Sequence, residues 1–61
     1  MEYQIIELKD VIIKNEITNK RISELSGINE SNISKILNGI YDPRLETFNR
    51  ITDAVIAASI N

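Results

Sequence analysis

Glu7 and Asp10 stand three residues apart, a spacing that puts both carboxylates on one face of a helix. Such a pair can divide general-acid and general-base roles or begin a metal site. Neither chemistry goes further here, because the chain has no histidine and no cysteine. Their absence removes the usual acid–base residue, the commonest metal ligand, thiol nucleophiles, thiolate zinc sites and disulfides. Glu7 and Asp10 are therefore read as solvated charge, and the composition argues against an enzyme and against any cofactor or metal. What remains are polar side chains whose only chemistry is hydrogen bonding and charge, so their use depends on the elements that position them.

Sixty-one residues leave room for one core, and the whole of 1–61 is expected to form a single domain. A chain of this size buries only about 60% of the surface its unfolded form exposes, so without disulfides or metal it is best served by helices. Hydrophobic residues at 43% and charged residues at 26% exclude wholesale disorder. Seven Lys or Arg against nine Asp or Glu give a net charge of −2, which argues against non-specific coating of nucleic acid by charge alone. Apolar runs such as Val11-Ile12-Ile13 are far shorter than the ~20 residues of a membrane span, and the acidic start lacks a signal peptide's basic region. A cytoplasmic protein with no membrane partner is expected.

The periodicity predicts four helices, at residues 2–15, 19–26, 30–38 and 45–58. In the first, Ile5, Leu8, Val11 or Ile12, and Asn15 recur at helical steps. Ile6 and Ile13 form a second line with Tyr3, read here as part of a broad core face in preference to a dimer surface. Thr18 can cap the second helix and Gly27 ends it; Asn29 can cap the third and Asn38-Gly39 ends it. Only Gly27 to Asn29 separate these two short helices, and a glycine-containing connection that tight is the helix-turn-helix signature. Pro43 marks a turn after Ile40-Tyr41-Asp42, and Leu45, Phe48, Ile51 or Thr52, Val55 and Ala58 mark the fourth helix.

From Leu8 to about Val55 the residues resemble a known family: the helix-turn-helix regulators typified by the phage Cro and repressor proteins. The match rests on Thr18-Asn19, Ser23, Gly27, Asn29, Ile33-Ser34-Lys35-Ile36, Asn38-Gly39, Pro43 and Leu45-Glu46-Thr47-Phe48, all in register. The resemblance implies an all-α, lambda-repressor-like domain of four helices, five at most. Its implied function is sequence-specific binding of operator DNA, as a transcriptional repressor or Cro-like switch of a phage or mobile element. By matching position, Glu30, Ser31, Asn32, Ser34 and Lys35 would meet base edges in the major groove, and Asn19, Lys20, Asn38 and Tyr41 would hold phosphates. Lys35 could donate to guanine, Asn32 pair with adenine and Glu30 accept from cytosine. Glu30 is explained equally well by the helix dipole, Asn29 by capping, and Lys20 and Arg21 by solvation.

Two departures from the family pattern stand out. Many members carry an arginine in the first helix and a glutamate late in the third as an ion pair; Ile12 and Leu37 occupy those positions here. Exchanging such a pair for apolar contact is neutral or stabilising by ~1 to 4 kcal/mol when volumes fit, so Ile12 and Leu37 are expected to meet in the core. The segment after Gly39 is not basic, so single-domain affinity should be modest and a homodimer is expected. Val55, Ile56, Ala58 and Ile60 form its candidate surface, extended by any exposed isoleucines of the first helix, unless the chain is a truncated amino-terminal domain whose remainder covers them. The alternative function is a helix-turn-helix interaction module, an antitoxin or antirepressor, acting on a protein partner.

Overall fold

Short-range hydrogen bonds decide where each helix of this chain begins and ends. A computed structural model describes the backbone of residues 2–60 and the side chains of residues 4–60. It shows α1 (Glu2–Lys14), α2 (Asn19–Ser26), α3 (Glu30–Leu37) and α4 (Leu45–Ile60), with no strand among the described residues. The fold is all-α. The Thr18 hydroxyl accepts from the Arg21 N–H at 3.1 Å, and the Asn29 side-chain oxygen accepts from the Ser31 N–H at 2.8 Å. Each bond satisfies one of the amide donors that the first turn of a helix leaves unpaired.

The helix ends follow the same economy. After α3 the Ile40 N–H reaches the Lys35 carbonyl at 2.9 Å and the Gly39 N–H reaches the Ile36 carbonyl at 3.1 Å. This paired closure requires a left-handed residue, and Gly39 supplies it at φ 75°. Gly27, also at φ 75°, ends α2 with one bond to the Ser23 carbonyl. The end of α1 repeats the α3 arrangement, Ile17 N–H to Ile12 carbonyl at 2.9 Å and Glu16 N–H to Ile13 carbonyl at 3.2 Å, but the left-handed position is Glu16 at φ 54°. A side chain there crowds the backbone at a cost of roughly 1–2 kcal/mol. Glu16→Gly is therefore expected to raise stability by about 0.5–1 kcal/mol after the extra entropy of glycine in the unfolded chain. A higher urea midpoint at unchanged slope would show it, and a lower midpoint would contradict it.

Helix α4 packs against α2 and α1, and α2 packs against α3. The core consists of Leu8, Ile22, Ile33, Ile36, Leu37, Ile51, Ala54 and Val55, with Ile5, Ile12, Ile17, Ile28 and Phe48 packed against it. Leu37 is buried and Ile12 half-buried against the same cluster, so both departures from the family ion pair sit in apolar surroundings.

Packing corrects three expectations about which side chains are buried. The core face of α1 is narrow, not broad: Ile5, Leu8 and Ile12 turn inward while Ile6 and Ile13 are 56% and 71% exposed. One neighbouring helix, α4, covers one stripe of α1 and leaves the second line in solvent; the Tyr3 side chain lies outside the described residues. Leu45, which shares the periodic apolar series of α4 with Phe48, Ile51 and Val55, is exposed; it is the first residue of the helix. Val55 is fully buried, so it belongs to the core and not to a docking surface. It shares the inner stripe of α4 with Ile51, four residues before it, whereas Ile56 and Ile60 are exposed and Ala58 is half-buried. Helix α4 itself continues to Ile60, two residues past the expected end.

Candidate nucleic-acid interface

The turn between α2 and α3 is fastened by two serines. The Ser23 hydroxyl donates to the Ile28 carbonyl at 2.6 Å, and the Ile28 N–H donates to the Ser26 hydroxyl at 3.2 Å. With Gly27 in the left-handed region directly after Ser26, Ile28 is held at both its polar backbone atoms while its side chain packs on the core. This fixes the angle between the two helices. In the sequence Ser23 stands out only by its place in the family pattern; the signal for its second role is a pair of serines, Ser23 and Ser26, in the last turn of α2 just before the short, capped turn.

Helix α3 is anchored by Ile33, Ile36 and Leu37, all buried. Helical periodicity therefore turns Ser31, Asn32 and Lys35 outward, and all three are exposed, as is Glu30 in the first turn. Ser34 is half-buried on the border of that row. The result is a polar strip with one cation, Lys35, at its C-terminal end, on a helix whose opposite side is clamped to the core.

The starts of α2 and α3 meet. Thr18, Asn19, Lys20, Glu30, Ser31 and Ser34 line one open groove of about 550 Å³, although some ten residues of sequence separate its two walls. Lys20 is exposed and Asn19 half-buried. Asn38 and Tyr41 lie at the opposite end of α3, roughly 12 Å away along an eight-residue helix. Both are exposed, beside Lys9 and Asp42 in a second groove. The Asn38 amide is turned back on its own helix, donating to the Ser34 carbonyl at 2.9 Å and lying 3.4 Å from the Ser34 hydroxyl. Tyr41 has no such engagement.

Charge on this side is mixed. Lys20 shares its groove with Glu30, and Arg21 lies 3.8 Å from Glu24, an exposed pair of little energetic weight. Lys35 has no carboxylate partner among the described residues.

A rigid pair of helices, the second presenting an exposed polar row while the first places its N-terminus beside it, defines a helix-turn-helix DNA-binding unit. Residues 7–55 match the family model of the Cro/C1-type helix-turn-helix DNA-binding domain. The match spans most of the chain, and the protein belongs to that family. No curated protein and no solved structure matches the chain. No helix among the described residues is long and apolar enough to cross a membrane.

Proposed function

We propose that this protein is an operator-binding transcriptional regulator, a repressor or Cro-like switch of the phage or mobile-element kind, which inserts α3 into the major groove. The observation that carries the reading is the exposed row of α3 on a helix locked to the core by Ile33, Ile36 and Leu37. In this reading Glu30, Ser31, Asn32, Ser34 and Lys35 meet base edges. Asn19, Lys20 and Tyr41 hold phosphates, with Asn38 a lesser contributor because its amide is engaged within the helix. Repression needs only occupancy that excludes polymerase. Two copies, joined through Ile56 and Ile60 with Ala58 beside them, place their recognition helices in successive grooves ~34 Å apart.

The mixed charge supports a second reading, a module that binds a protein partner. Glu30 beside Lys20 and a net charge of −2 weaken the field that would draw the domain to phosphate. One experiment separates the two: selection of binding duplexes from a random pool at low and moderate salt. A palindromic or repeated site with affinity falling steeply as salt rises is the expected result. Failure to enrich any sequence from a folded sample overturns the DNA reading and favours the protein partner.

A further inference from the structure

The outward side of α1 carries a charge pattern that no ion pair among the described residues uses, although Lys9 also lines the groove of Asn38, Tyr41 and Asp42. Ile6 and Ile13 are 56% and 71% exposed, one heptad apart, and at about 100° per residue they lie within about 20° of each other around the helix. Lys9 and Asp10 sit between them along the axis. Lys9 lies about 60° to one side of Ile6 and Asp10 about 40° to the other, so the two opposite charges flank an apolar seam. Neither takes part in an ion pair among the described residues.

From this arrangement we infer that the Ile6–Ile13 side of α1 is a self-association surface, and that its occupant is α1 of a second copy lying parallel to it. The charges choose the occupant and its direction. A two-fold axis parallel to the helices brings the Lys9 flank of one copy against the Asp10 flank of the other, so Lys9 meets the partner's Asp10 twice in a closed, symmetric contact. An antiparallel pair would set Lys9 against the partner's Lys9 and Asp10 against the partner's Asp10. The seam residues then meet as Ile6 on the partner's Ile6 and Ile13 on the partner's Ile13, the arrangement by which short coiled coils bury one stripe and use flanking charge to set orientation.

The surface is separate from α4's Ile56 and Ile60 and includes none of the exposed α3 residues Glu30, Ser31, Asn32 and Lys35; on its Lys9 side it borders the groove that holds Asn38, Tyr41 and Asp42. Helix α1 is thirteen residues long, about 20 Å, which places the contact in the small, reversible class below about 1,200 Å². A chain that uses both surfaces assembles beyond a pair.

Charge reversal with complementation tests the inference without DNA. Lys9→Asp places two carboxylates on each flank contact and Asp10→Lys places two ammonium groups there, so each variant alone should self-associate at least about tenfold more weakly than the wild type. Mixed in equal amounts, the two variants restore both opposite-charge contacts. Sedimentation velocity over a concentration series should show each single variant one association step below the wild type and the mixture regaining that step. Circular dichroism of each variant verifies that the helices are retained. The inference is overturned if the wild type shows no association that the variants lose, or if the mixture sediments as its separate components do.

Discussion

Lys35→Ala is expected to weaken binding to a selected operator site by about 1–3 kcal/mol, a loss of roughly 5- to 150-fold, while reducing binding to random DNA much less. Lys35 is the one cation of the exposed α3 row, and the carbonyl of the same residue is held by the Ile40 N–H at 2.9 Å and the Tyr41 N–H at 3.3 Å. Its backbone is therefore fixed at the point where α3 gives way to the following loop, and only the side chain is free to search a groove. An ammonium group placed against guanine acceptors distinguishes sequences, whereas the same group on a phosphate contributes equally to every sequence. Titrations of wild type and variant on the selected duplex and on a scrambled one decide between these roles. Equal losses on both would move Lys35 to the phosphate backbone and leave Asn32 as the principal reader of bases. The salt dependence gives an independent check, since removal of a phosphate contact lowers the slope of log affinity against log salt by about one.

The second large effect is on the fold. Ile33→Ala should destabilise the protein by about 2–5 kcal/mol, because it removes most of a fully buried side chain and leaves a void its neighbours fill only in part. A core of this size rarely supplies more than about 3–5 kcal/mol in total, so the variant is expected to be largely unfolded at room temperature. Ile33→Val, by contrast, should cost about 0.5–1.5 kcal/mol and remain folded. Chemical denaturation of both variants, followed by far-UV circular dichroism, is the measurement. An Ile33→Ala variant that retained near-wild-type stability would mean that α3 is not clamped to the core as the structure shows. The position matters for function because Ile33 sits between Asn32 and Ser34, so the same residue that stabilises the domain aims the recognition row.

The two effects are separable. Lys35 is exposed and its removal should leave the denaturation midpoint within about 0.5 kcal/mol of wild type. Loss of binding in Ile33→Ala, on the other hand, would follow from loss of structure and says nothing about contacts.

Much of this architecture is local and was legible in the residues themselves. Thr18, Gly27, Asn29 and Gly39 act on atoms within five positions of themselves, so the starts of α2 and α3, their ends and the tight turn between them could be read without knowing the rest of the molecule. The inward set of α3 was equally clear, because Ile33, Ile36 and Leu37 are its only large apolar residues and no second stripe competes with them. The left-handed Glu16 is not legible in this way, since that position at a helix end is usually glycine or asparagine and nothing in its neighbours announces the exception. Tertiary packing alone settled the helices that are apolar on more than one side. Along α1 the pairs Ile5 with Ile6 and Ile12 with Ile13 allow two faces, and in α4 Val55 and Ile56 pose the same choice. Periodicity cannot decide between adjacent apolar residues; only the placement of α4 against α1 and α2 buries one and exposes the other. The groove that brings Lys20 to Glu30 is likewise a product of how α2 docks on α3, and no spacing along the chain encodes it.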